Sequence, residues 1–176
     1  VPTMPTMSTM SLQAAPPACP APTCAGDDEA WAAQLIAANI NPQTCLATDY
    51  LNHFNEAVML LEMIPDMPEC FEDFLAWQPL SYAEHFTASN FKARDLAIYA
   101  YDNADPGIRA DFDNLTNNMT VILTEVGNAM REVKHDWTRA VLAEHAVRWI
   151  KPMIGRAGGI INGQGSAADV DYIMAH

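Results

Sequence analysis

The first 91 residues contain no lysine and no arginine, although they hold eleven of the 22 acidic residues. A surface built from this part repels phosphate backbones, so nucleic acid and anionic bilayers are not its expected partners. Long apolar runs are also missing. The longest, residues 57–64, contains Glu62 and is stopped by Pro65. It falls far short of the roughly 20 apolar residues of a helical membrane span. No basic stretch followed by an apolar one marks a secretory leader within the chain. The expected location is cytoplasmic, with a periplasmic one as the alternative if a leader was removed ahead of Val1.

Several chemical signatures are absent as well. Cys19, Cys24, Cys45 and Cys70 form no C-x2-C pair, which leaves no half of a zinc motif, and free thiols are expected. No serine stands in a G-x-S-x-G context. The glycines from Gly155 to Gly165 lack the G-x-x-x-x-G-K-[ST] order of a phosphate loop. They are expected to form a flexible C-terminal connection. Nothing in the chain alternates like a strand or repeats like a solenoid.

What remains is helix. The chain has 176 residues, 50% apolar and 18% charged, the composition of one globular domain. Residues 1–26 are set apart, because they carry half of the twelve prolines and no charged side chain. They are expected to be an extended arm, since proline at that density blocks helix and central strand. Residues 27–176 are then expected to be a single all-α domain, an irregular bundle of six or seven helices.

Local signals place those helices. Asp27 or Asp28 can cap a helix that ends before Pro42, and Thr48 can cap one running to Ile64. The second has the stripe Tyr50, Leu51, Phe54, Ala57, Val58, Leu61 and Ile64 at helical spacing. Pro68 suits the first turn of a helix over 68–77, and Ser81 with Glu84 forms a capping box for one over 81–88. Residues 91–102 follow as a further helix. Asp105-Pro106 opens a long spine helix over 106–133, its seam formed by Ile108, Phe112, Leu115, Met119, Ile122, Val126, Met130 and Val133. Asp136 is expected to cap a second spine helix over 137–154 with Leu142, Ala146, Trp149, Ile150 and Met153 inward, ended by Gly155, Gly158 and Gly159. Ser166 with Asp169 suggests a last small helix.

Candidate chemistry is thin. A carboxylate-bridged di-iron site uses two Glu-x-x-His pairs on facing helices. Only Glu132 and His135 have that order; His53 and Glu56 have the reverse. A softer site for copper could form from Met4, Met7 and Met10 with Cys19 and Cys24, since thioethers and thiolates favour the monovalent ion. Cys45 or Cys70 could pair with His53 or His85 as a thiolate–imidazole nucleophile if the fold joins them. Methionine equally serves adaptable contact surfaces. Met59, Met63 and Met67 recur at spacings of four beside Glu56 and Glu62, off the apolar stripe, and Trp31, Phe71, Trp77 and Trp137 lie near helix ends, where large apolar groups left outside one core find a second surface. The expected role is therefore non-catalytic: an interaction or accessory subunit of a larger assembly, or a homo-oligomer. The arm and this acidic Met-bearing face would meet a protein partner, with metal handling as the alternative.

Overall fold

A computed structural model describes residues 25–164 of the chain. The arm over 1–24, with Met4, Met7, Met10, Cys19 and Cys24, and the small helix expected after Ser166 lie outside the described residues. Within them the chain is all-α, with seven helices and no strand: α1 (Ala25–Ala37), α2 (Leu51–Met63), α3 (Cys70–Ala76), α4 (Tyr82–Ala88), α5 (Arg94–Asp102), α6 (Pro106–Glu132) and α7 (Asp136–Ile161). A 3-10 turn at Thr48–Tyr50 leads into α2. No helix among the described residues is long and apolar enough to cross a membrane.

Helices α6 and α7 form the spine as a hairpin, and α2 also packs along α7. Leu51 lies against Gly158, Glu62 pairs with Lys151, and the Arg139 guanidinium covers the Phe71 ring. These contacts run α2 antiparallel to α7. Phe54, Leu61, Phe112, Met119, Leu123 and Ile150 fill the centre. Ala143, Ala146 and Ala157 are fully buried on α7 and let its neighbours approach closely.

Caps decide the helix ends. The Ser81 hydroxyl accepts from the Glu84 amide while the Glu84 carboxylate accepts from the Ser81 amide, completing the box. Asp105 Oδ1 accepts from the amides of Gly107 and Ile108, with Pro106 at the first helical position. Asp105→Ala is expected to lower stability by about 1 kcal/mol, read as a shift in urea midpoint at constant slope. At the end of α1, Asn39 turns to φ 57° while the Ile40 amide reaches back to the Leu35 carbonyl.

Several boundaries depart from expectation. Thr48 makes no side-chain cap, because the chain enters α2 through the 3-10 turn with Ala47 at its start. Helix α1 already includes Asp27 and Asp28, and α3 begins at Cys70 rather than in the turn holding Pro68. Asp136 does not cap α7; His135 holds that position, and the Asp136 carboxylate pairs with Arg139. On α6, Leu123 is buried where Ile122 was expected and Ile122 is half-buried.

The largest difference is the end of α7. It does not stop at Ile154 or open into a flexible connection, but continues as helix through Gly155, Gly158 and Gly159 to Ile161. Three glycines weaken a helix by about 1 kcal/mol each. Burial of Ala157 and Ile161 in the core opposes that loss. Pro152 is also inside the helix; it removes a single donor, on the exposed side. The true end is fastened twice. The Thr44 hydroxyl donates to the Ile161 carbonyl at 2.6 Å, and Gly163 at φ 73° lets the Gln164 amide reach the Gly159 carbonyl.

Candidate functional site

The titratable groups with the strongest perturbation gather where the 3-10 turn, α2 and α4 meet. Tyr50 is buried and its hydroxyl donates to the Leu80 carbonyl at 2.8 Å. The Tyr82 hydroxyl accepts from the Ala47 amide at 2.9 Å, and the Tyr101 hydroxyl donates to Asp113 Oδ1 at 2.7 Å. His53 Nε2 accepts from the Leu80 amide at 3.0 Å, while Trp77 Nε1 donates to the His53 carbonyl. The His53 and Trp77 rings stack with centroids 4.6 Å apart. His85 Nε2 lies 3.1 Å from Asp49 Oδ2, placed to donate to the carboxylate.

Burial sets the protonation of this cluster. It pushes the Tyr50 phenol well above its usual range, helped by the Asp113 and Glu84 charges. It raises Tyr82 likewise, and Tyr101 through burial and then the Asp113 hydrogen bond. His53 is lowered to about 4, first by burial and then by the neighbouring His85. The phenols stay protonated and the His53 imidazole neutral near pH 7. Each of these polar tips is already engaged by a backbone group or a carboxylate, and no buried side-chain polar atom among the described residues lacks a partner. The network fastens the segment after α3 and helix α4 onto α2.

The metal candidates do not come together. His53 is buried with Nε2 occupied, Glu56 is exposed on α2, Glu132 closes α6, and His135 precedes α7, both exposed. Among the described residues no three His, Cys, Asp or Glu side chains converge as ligands. Cys45 is half-buried at φ 58°, and Cys70 is buried; both are free thiols. Burial pushes the Cys45 thiol up, and burial with the Glu69 and Asp73 charges does the same at Cys70. His53 and His85 take Leu80 and Asp49, not a thiol, as partners. The two Ala-Glu-His sequences part ways, since Glu84 caps α4 and His85 meets Asp49, whereas Glu144 and His145 face water.

Clefts also open between helices among the described residues. One of about 230 Å³ lies between the end of α3 and α6, bordered by Phe74, Trp77, Pro79, Thr124 and Arg131. Another, about 460 Å³, lies between α2 and α7, with Glu62, Asp66, Glu144 and Arg148 on its rim.

The large apolar residues divide. Phe71 is buried, Trp77 is half-buried on His53, and Trp31 meets Tyr99 edge to face. Of the outward methionines, Met59 is 54% and Met67 38% exposed, but Met63 is half-buried against the core and is not part of an outer face. Trp137, read from its place near a helix end as outside the core, is 70% exposed, whereas Trp149, expected inward, is 56% exposed. The spacing of four from Trp137 through Val141 and His145 to Trp149 was the available signal. No protein-family model matches the chain, nor does any curated protein or solved structure.

Proposed function

We propose that this chain is a non-catalytic helical interaction subunit that works within a larger assembly or as a homo-oligomer. The supporting observation is the set of large apolar side chains left in water outside a complete core: Met59 and Met67 in the acidic part, and Trp137, Val141 and Trp149 on α7. Isolated exposed apolar residues are ordinary, but several large ones along the outer part of one helix favour a second surface. Around Met59 the exposed carboxylates of Glu56 and Glu62 suit a basic protein surface. The arm over 1–26 is a second docking element in this reading.

Sedimentation equilibrium of the full chain should give a mass above the 19.3 kDa of one copy, or a stoichiometric basic protein partner should co-purify. Deleting residues 1–26 should lower the mass or lose the partner. A chain that is monomeric and alone, with and without those residues, overturns the reading. Stoichiometric copper on the purified full chain would favour the Met and Cys side chains of the arm as a metal carrier instead.

A further inference from the structure

Helix α7 turns two unlike faces outward from its axis. One, through Ala143, Ala146, Ile150, Ala157 and Ile161, is buried in the bundle. The other carries Trp137, Val141, Glu144, Arg148 and Gly155, all exposed. A helix that serves only as the wall of its own bundle has charged and polar groups there, not tryptophan. Glu144 and Arg148 form no ion pair among the described residues. A Cβ added at Gly155 would meet nothing within 4 Å, so the chain's own packing does not call for glycine at this point.

We infer that this face docks on the same face of a second copy, with the two α7 helices antiparallel about a two-fold axis level with Ala146. Glu144 and Arg148 lie two residues on either side of position 146, and Trp137 and Gly155 lie nine on either side. A two-fold axis exchanges the members of each such pair. Glu144 of each copy then meets Arg148 of the other, twice over. Each Trp137 indole comes to the bare backbone at the other copy's Gly155, where any larger side chain would hold it off. The face is thus its own complement in charge and in shape, which is why a second copy fits it better than an unrelated partner.

The 26 residues of α7 span about 39 Å. With the axis level with Ala146 the two helices overlap over residues 136–156, about 30 Å, and a strip of that length about 10 Å wide covers roughly 300 Å² per copy, less than half of a standard interface. The dimer is accordingly weak and reversible. This pairing is one specific form of the self-association proposed above, and the test separates the two.

Sedimentation of the full chain over a concentration series should show a monomer–dimer equilibrium. Arg148→Glu should weaken it by about tenfold or more by facing like charges across both pairs, and Glu144→Arg should do the same. An equimolar mixture of the two single variants should associate, because each then supplies what the other lost. The double exchange in one chain should restore self-association. Both positions are exposed, so circular dichroism should show folded single variants. Association unchanged in both single variants, or no association in their mixture, overturns this pairing and leaves the wider reading standing. A wild-type chain that is monomeric throughout and brings no partner overturns both.

Discussion

Replacement of Phe54 by alanine is expected to lower the stability of the domain by about 3–5 kcal/mol. Phe54 is fully buried on α2, edge-on to Tyr50 and within ring contact of His53 and Trp77. Its removal takes apolar contacts from three elements, and the surrounding rings are held by hydrogen bonds that resist collapse into the space. Domains of this kind have about 5–15 kcal/mol in total, so the variant should approach the folding threshold. Urea denaturation measures it, as a lower midpoint at similar slope. Met59→Ala on the same helix is the control, expected within about 0.5 kcal/mol because the side chain is mostly in water. Equal losses at both positions would contradict the assignment of the buried side of α2.

The second large effect is one of pH. The folded chain holds His53 neutral, its pKa lowered to about 4, whereas an unfolded histidine titrates near 6.5. Between those values the unfolded chain binds more protons than the folded one, so stability rises with pH there. The contribution is complete above about 6.5 and is lost as pH falls toward 4. From pH 7 to pH 5 the expected loss is about 2 kcal/mol. Relief of repulsion in a chain of net charge −13 acts in the opposite direction. His53→Gln, which keeps an acceptor for the Leu80 amide, isolates the imidazole: its stability should change less between the two pH values than that of the wild type. An equal change in both would sink the assignment.

What could be read from the sequence follows how far each residue's partner lies along the chain. Ser81 finds Glu84, and Asp105 finds Gly107 and Ile108, within three residues. Those helix starts were legible. His53 depends on Leu80 and Trp77, 27 and 24 residues away, so its identity as a buried acceptor was not. Trp149 and Ile150 are adjacent apolar residues about 100° apart around the helix, and only the positions of α2 and α6 decide which one is inward. The three glycines of α7 read as a stop because their local preference is clear, while the burial that overrides it comes from the rest of the bundle. Met63 read as outward by spacing, yet it packs against the core. The candidate surface was legible at Met59 and at Trp137, which lies near a helix end, but not at Trp149, which the spacing placed inward.

The hydroxyl of Thr44 closes a contact with a carbonyl 117 residues further along the chain. During synthesis at 5–20 residues per second, the segment holding Thr44 and the apolar side of α2 waits roughly 6 to 23 seconds for the end of α7 to be made. Through that interval Phe54 and Leu61 have no α7 to cover them. The nascent chain is therefore most exposed to chaperones and to sticking to its neighbours before α7 emerges, and a pause in translation within α7 would lengthen that window.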